Sequence, residues 1–492
     1  MRKYEKDSGR LSTEIGSAAT LGAVADHRPW TGFSMQLSTP AFFIFFLAVW
    51  LLYWATARLR GARLAVLLAA DGFFLAKFGL LYLALPVAAV VDFLIGRGLT
   101  RTASEAGRRL LVVASLVLNL GLILTPKLLG LWTGDRYSWL LTLSLSFYGF
   151  QSLTYTIDLY RRDSEAGEAR SLAEYLAAAL FFPVLVAGPI LRLHKFLKQL
   201  QRPAELTPEQ AGRALLLIGV GLVKKLLIAD YLGQNLVARV FDTPSLYSGG
   251  EALAGVYGYA LQLFFDFSGY TDLAMGVGLL LGLELPENFR QPYLSVNLME
   301  FWRRWHISFS EWLRDYLMDS LPQRRRQWPL LSYCYSVIVT MMLGGLWHGL
   351  SWTFLTWGAL HGVALACVRL WKQMRKGKQP IPGGKVLATL GTFHFVCFTW
   401  IFFNASSMAN AWEVLGRIGS NTWSVENLTL PVIGMLMLAA VAHCLPLKWL
   451  ENSAMLMGRV PFWVQGAALA ALVLLIQTVS GKGAAPFVYG NF

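Results

Sequence analysis

Leu331-Ser-Tyr-Cys-Tyr-Ser-Val-Ile-Val-Thr-Met-Met-Leu-Gly-Gly-Leu-Trp347 is a run free of charge that meets His348-Gly-Leu-Ser-Trp352, and a second such run occupies residues 350–370. No Asp, Glu, Lys or Arg lies between Arg326 and Arg369. A helix needs about 20 apolar residues to cross a bilayer, and both runs approach that length, so the stretch reads as membrane helix. Working outward, further apolar runs cover roughly residues 41–57, 64–78, 79–96, 109–126, 138–157, 173–190, 213–229, 253–283, 387–404, 430–447 and 461–480. Hydrophobic residues make up 55% of the 492 and charged residues 15%, with a mean hydropathy of +0.48, and this sets the class as integral membrane protein.

Lipid offers no partner to backbone N–H and C=O groups, so a spanning segment must be a helix or part of a closed barrel. No alternating strands of about ten residues mark a barrel. The expected fold is therefore all-α: a polytopic transmembrane helical bundle of about 11–13 membrane helices, some re-entrant or amphipathic. No internal repeat or low-complexity linker divides it, so residues 37–492 read as a single membrane domain. Residues 1–36 are polar and mixed in charge, a tail that is either disordered or precedes a true start at Met35. The net charge of +14 needs no nucleic acid to explain it. In a membrane protein it supplies cytoplasmic loops, marked here by basic clusters at 58–63, 97–109, 161–162 and 369–385 that face anionic lipid. Cys334, Cys367, Cys397 and Cys444 stand singly in apolar surroundings and read as small buried hydrophobes.

Residues 286–326 depart from simple hydropathy, being polar, aromatic and charged, yet helical periodicity persists from about 298 to 317. Trp305, Phe309 and Trp312 share one face, Trp302, His306 and Ser310 a neighbouring one, and Glu300 can pair with Arg304 across a turn. The spacing predicts one amphipathic helix, serving as interfacial anchor, cytoplasmic scaffold or wall of a substrate tunnel. On that face Arg303 and Ser310 would flank His306, a setting that favours a neutral imidazole able to act as base or acceptor.

His348 stands at the junction of two apolar runs, between Gly344-Gly345 and Gly349, which permit close approach of another helix or an acyl chain. Trp352, one turn on, is expected to stack near the imidazole. Polar groups are expensive in a membrane, so His306 and His348 are the leading candidates for a site, against the plainer reading of helix-bridging imidazoles. His361 follows 13 residues later, about 20 Å along a helix and too far to share a reacting atom. His194, His394, His443 and, in the tail, His27 read as structural. Asp266 and Asp272 require partners in an apolar segment, with Arg303, Arg304 or Arg314 as the expected ones. Ser351 has no third partner that would make it a nucleophile, which disfavours an acyl-enzyme.

Four motifs in order resemble the membrane-bound O-acyltransferase family: Phe265-Asp-Phe-Ser-Gly-Tyr-Thr-Asp-Leu-Ala274, Glu287-Asn-Phe-Arg-Gln-Pro-Tyr293, Glu300-Phe-Trp-Arg-Arg-Trp-His-Ile-Ser-Phe-Ser-Glu-Trp-Leu-Arg-Asp-Tyr316 and Gly344-Gly-Leu-Trp-His-Gly349. Phe181-Phe-Pro-Val-Leu-Val-Ala-Gly-Pro-Ile190 and Lys224-Lys-Leu-Leu-Ile-Ala-Asp230 fit its bacterial branch, represented by the alginate O-acetyltransferase membrane subunit. The likeness runs from about residue 35 to about 404. It implies acyl transfer through a tunnel, with His348 at the family's essential histidine and His306 at the upstream position. The implied reaction passes acetyl groups from acetyl-CoA or a carrier-borne acyl thioester to hydroxyls of an exported, alginate-like polysaccharide, at the bacterial inner membrane and beside a periplasmic acetylation partner. In it His348 is the general base, His306 with Arg303 or Arg304 holds the donor or the developing oxyanion, and Trp302, Trp352 and Ser310 line the substrate. No bound cofactor or metal is implied. Transfer of D-alanyl or another acyl group from a carrier protein remains an alternative. A transporter or flippase, or a haem protein with His306 and His348 as axial ligands, represents other classes; the first lacks a duplicated half.

Overall fold

The computed structural model describes residues 35–77, 80–133, 139–164, 167–321, 329–376 and 383–480. The expected tail, apart from Met35 and Gln36, lies outside them. In chain order the helices are α1 (Pro40–Ala55), α2 (Arg60–Ala76), α3 (Ala84–Arg101), α4 (Glu105–Thr133), α5 (Trp139–Arg161), α6 (Leu172–Ala179), α7 (Leu193–Leu200), α8 (Pro208–Leu222), α9 (Asp230–Leu232), α10 (Ala238–Asp242) and α11 (Gly249–Leu280). There follow α12 (Leu298–Phe301), α13 (Ile307–Trp312), α14 (Pro329–His348), α15 (Trp352–Met374), α16 (Gly384–Asn404), α17 (Met408–Gly419), α18 (Leu430–Cys444), α19 (Leu447–Met457) and α20 (Phe462–Ser480). No strand occurs among the described residues, and the fold is an all-α membrane bundle.

By length and apolarity α14, α15, α16 and residues 105–129 of α4 each suffice to cross a bilayer, and α18 with α19 does so across an 81° bend. The other apolar runs are shorter, broken or carry buried charge. The run at 173–190 is not a spanning helix: α6 ends at Ala179 and residues 180–192 continue as buried, non-helical chain. Such backbone survives at depth only if protein satisfies it. Asp71 accepts from the Phe182 N–H (2.9 Å), Ser308 Oγ from that of Ile190 (3.0 Å) and Thr154 Oγ1 from that of Leu193 (3.1 Å).

α11 forms the bundle's axis. Its N-terminus is closed by a capping box of Ser248 and Glu251, and a helix apolar all round belongs inside. It crosses α8 where Gly221 meets Gly269; a Cβ on either would lie 2.7 or 2.9 Å from the other's carbonyl oxygen. Immediately beyond, α8 widens into π turns over Val223–Ala229 and Gly233–Val237. These turns present two consecutive lysines to α11. Lys225 Nζ, fully buried, lies 2.6 Å from Asp266 and 2.8 Å from Asp230, while Lys224 pairs with Asp272 at 2.6 Å. The carboxylates of α11 thus take lysine partners, not the arginines expected, because the helix crossing brings α8 and not the 303–314 segment alongside.

α14 and α15 form a tight antiparallel hairpin. A Cβ on Gly345 would stand 2.3 Å from the Phe354 carbonyl oxygen, and one on Gly358 2.4 Å from that of Met341. Gly345→Ala is therefore expected to force the hairpin apart and cost roughly 1–3 kcal/mol. Thermal melting of detergent-extracted protein reads this; a melting point equal to wild type would show that the hairpin spreads freely.

The first three basic clusters are tied to neighbouring segments of the chain. Arg60 pairs with Glu174 (2.6 Å), Arg63 donates to the carbonyls of Leu200 (2.9 Å) and Arg202 (2.7 Å), Arg108 to those of Leu159 (2.9 Å) and Tyr160 (2.8 Å), and Arg161 to that of Asp315 (2.8 Å). Of the cysteines only Cys397 is buried, and Cys367 and Cys444 are exposed. Outward faces of a membrane bundle are apolar because lipid covers them, so apolar company in sequence does not place a residue inside.

Candidate active site

Residues 298–317 do not form one helix. Asn297 caps α12, whose four residues end at Phe301; the chain turns, His306 takes a left-handed conformation (φ 42°, ψ 57°), and α13 begins at Ile307, passing into a π turn at Leu313–Leu317. Two backbone bonds to an upstream segment hold the break open: Arg290 N–H donates to Arg304 O and Ile307 N–H to Asn288 O, both 2.9 Å. A left-handed non-glycine residue is uncommon and marks a place where tertiary contacts override local preference. Trp302, His306 and Ser310 consequently share no stripe.

The Asn288 side chain sets the state of His306. Its Oδ1 accepts from the Ser308 backbone N–H (3.1 Å) and the Ser308 hydroxyl (2.9 Å), and lies 3.1 Å from His306 Nδ1. A backbone N–H can only donate, so the oxygen of the amide, not its nitrogen, must face this cluster. His306 Nδ1 therefore carries the proton and Nε2 the lone pair. That Nε2 is buried and has no hydrogen-bond partner among the described residues. Aromatic rings wall the imidazole: Phe267 at 4.7 Å, Phe309 at 5.0 Å, and Phe147 and Phe289 at 6.4 Å. The expected flanking groups are elsewhere. Arg303 is exposed, Arg304 pairs with Glu300, and the Ser310 hydroxyl donates to Trp305 O (3.1 Å).

His348 ends α14 and is buried in a second aromatic box of Trp347 (4.5 Å), Phe403 (4.8 Å), Trp357 (5.3 Å) and Phe354 (6.0 Å). Phe309 is 6.2 Å from it, so one ring touches both histidines. The carbonyls that end α14 lack helical partners, and Lys127 of α4 supplies one, its Nζ donating to Trp347 O and, at 3.2 Å, to His348 O. No sequence signal pointed to Lys127. Trp352 is 74% exposed and does not cover the imidazole; Trp357, one and a half turns later, does. Ser351 is the N-cap of α15, accepting from Phe354 N–H (3.3 Å) and bonded to the Thr353 hydroxyl (2.8 Å).

His361 lies nearer to His348 than a straight helix implies, because the hairpin reverses the chain and Trp357 touches both rings, at 5.3 and 5.0 Å. It is saturated: Trp302 Nε1–H donates to its Nδ1 (3.3 Å), its Nε2–H to Thr399 Oγ1 (2.9 Å), and that hydroxyl to Val396 O (2.8 Å). Trp302 is thus part of a helix-locking chain. His194 is held by polar partners: Nδ1 donates to Asp158 (3.0 Å), which also accepts from the Tyr316 hydroxyl (2.8 Å). His394 is exposed and bonded to Leu390 O (2.8 Å), and His27 is outside the described residues. Among the described residues no three of His, Cys, Asp and Glu converge as metal ligands would.

A cavity of ≈ 1270 Å³ opens between α8, α11 and the α18–α20 end, and Asn288, Phe264, Lys224 and His443 line it. His443 is buried, with both ring nitrogens unpartnered. The cavity therefore reaches the residue that orients His306.

The family model of MBOAT, the membrane-bound O-acyltransferase family, matches residues 23–412. The chain belongs to the membrane-bound O-acyltransferase family. Within this O-acyltransferase family it is 39% identical over 303 residues to a probable alginate O-acetylase of Azotobacter vinelandii, an alignment covering 61% of this chain and 58% of that protein. It is 33% identical over 400 residues to a peptidoglycan O-acetyltransferase of Helicobacter pylori, covering 74% and 75% of the two. A teichoic acid D-alanyltransferase of Bacillus subtilis matches at 34% over 275 residues, 53% of this chain and 69% of that one. The chain thus spans under two thirds of the alginate relative's length. The histidines that the resemblance placed at the family's two positions are the ones that the O-acyltransferase bundle brings to a common phenylalanine.

Proposed function

We propose that the protein is an acyltransferase that passes an acetyl group from a thioester, either acetyl-CoA or a carrier-borne one, to hydroxyls of an exported polysaccharide. The observation carrying this reading is the pair of buried imidazoles, His306 and His348, that meet a common Phe309, together with a cavity of ≈ 1270 Å³ that reaches Asn288, the residue bonded to His306. A sugar hydroxyl attacks a thioester slowly unless a neutral imidazole removes its proton as the bond forms, a contribution of about 10²- to 10⁴-fold. His348 takes that role, with Lys127 steadying the helix end that holds it. Arg303 is exposed and Arg304 is paired with Glu300, so neither is given the oxyanion role in this reading. The names of the alginate and peptidoglycan relatives support acetyl as the group moved. Residence in the bacterial inner membrane and cooperation with a periplasmic acetylation protein belong to the same reading. Inverted membrane vesicles supplied with acetyl-labelled acetyl-CoA and alginate oligosaccharides test it: label in the oligosaccharide is expected. Label arriving from a D-alanyl carrier protein and not from acetyl-CoA would replace acetyl by D-alanyl transfer.

A further inference from the structure

Asn288 is fully buried and has two side-chain heteroatoms with opposite fates. Oδ1 is committed to Ser308 and His306, and this commitment turns Nδ2 away from them. Nδ2 has no hydrogen-bond partner among the described residues, although the residue lines the large cavity. A buried amide N–H without an acceptor costs free energy, on the order of 1–3 kcal/mol, and native proteins keep such a group where a ligand will meet it. Its orientation is rigid, because three donors converge on the oxygen and the Ser308 hydroxyl is itself held by the Ile190 N–H (3.0 Å) of the buried loop. The oxygen of the same amide holds His306, whose Nε2 is likewise without a hydrogen-bond partner among the described residues. Asn288 thus carries an orphaned donor on a residue that lines the cavity and is bonded to one of the two site histidines.

We infer that Asn288 Nδ2–H is the hydrogen-bond donor to the thioester carbonyl oxygen of the acyl donor, and that the ≈ 1270 Å³ cavity is the chamber through which that thioester is presented. This rests on the acetyl-transfer reading above. In the reaction the acceptor hydroxyl oxygen bonds to the carbonyl carbon, its proton passes to the His348 imidazole, and the carbonyl π pair moves to oxygen, where Nδ2–H stabilises it. Collapse re-forms the C=O bond and breaks the C–S bond; the departing thiolate takes the proton from the imidazolium, leaving ester, free thiol and neutral imidazole. A rigid, prepositioned donor of this kind is where such sites gain most, since it need not reorganise as charge develops. Asn288 is then a catalytic residue in the strict sense, and its Oδ1 separately positions His306.

Asn288→Asp tests the assignment, because it keeps an oxygen for Ser308 and His306 and removes the N–H. Acetyl transfer from acetyl-CoA, assayed per extracted molecule, is expected to lose about 10²- to 10³-fold in kcat with KM for acetyl-CoA within about threefold. A purely structural role would lower the amount of extractable protein and leave kcat per molecule intact; kcat within about threefold of wild type overturns the inference. Should the variant fail to accumulate, the infrared band of carbonyl-¹³C acetyl-CoA bound to wild type decides: a shift to lower wavenumber than in water-free solvent is expected, and an unshifted band overturns the assignment. Wild-type protein that transfers no acetyl group would sink the reading of function itself, whereas an active wild type with an equally active Asn288→Asp sinks the Asn288 role alone.

Discussion

Replacing His348 with alanine is expected to abolish polysaccharide acetylation in a complemented strain while the protein remains in the membrane at its normal level. The expected loss is at least about 10²-fold, the lower range for removal of a positioned general base. Two features separate this from misfolding. The imidazole sits at the end of α14, and the carbonyls there are held by Lys127 through backbone groups that the substitution leaves in place. Of the rings around it, Phe354 and Trp357 each pack on Phe403 and Trp347 packs on Phe309, so the box has contacts of its own besides those to the imidazole. His348→Gln, which keeps more of the volume, is expected to be equally inactive. Acetyl content of the polymer and immunodetection of the protein are the two measurements. Normal acetylation at normal protein level by either variant would remove His348 from the chemistry.

Lys225→Met is expected to be the most damaging single substitution for folding. It leaves Asp230 and Asp266 buried with no cation between them, a loss of roughly 3–5 kcal/mol for breaking a buried charge cluster from one side. Replacing all three charges at once, as Lys225→Met with Asp230→Asn and Asp266→Asn, removes the uncompensated charge and is expected to restore much of the protein recovered from membranes, since a buried ion pair contributes little beyond its apolar equivalent. Detergent extraction followed by size-exclusion chromatography reads both. A single variant that extracts as well as wild type would show that the carboxylates find other partners.

Hydropathy located α14, α15 and α16 correctly because the length and apolarity needed to cross a bilayer are properties of a segment alone. Composition gave the class, and the ordered motifs gave the family, for the same reason: they are written along the chain. The i, i+4 pattern of residues 298–317 misled, although Glu300 and Arg304 do pair, because periodicity assumes an unbroken helix. The break at His306 is imposed by Asn288, 18 residues upstream, through its carbonyl and its side chain. The directions of Trp352 and Ser310 depend in the same way on tertiary detail: where α15 starts and how the turn before α13 closes. The run at 173–190 passed for a helix because hydropathy measures burial and is blind to backbone shape.

By itself, then, the sequence determined a membrane-embedded all-α protein of the O-acyltransferase family and singled out His306 and His348. Only the tertiary structure decided that one phenylalanine touches both histidines, that Lys127 reaches the end of α14 across 221 positions of chain, and that Lys224 and Lys225, not arginines, answer the carboxylates of α11. The division has one physical cause. Helix formation and partition into lipid are governed by neighbours within a few turns, whereas the tautomer of an imidazole and the partner of a buried charge are set by whichever segment packing brings within hydrogen-bond reach.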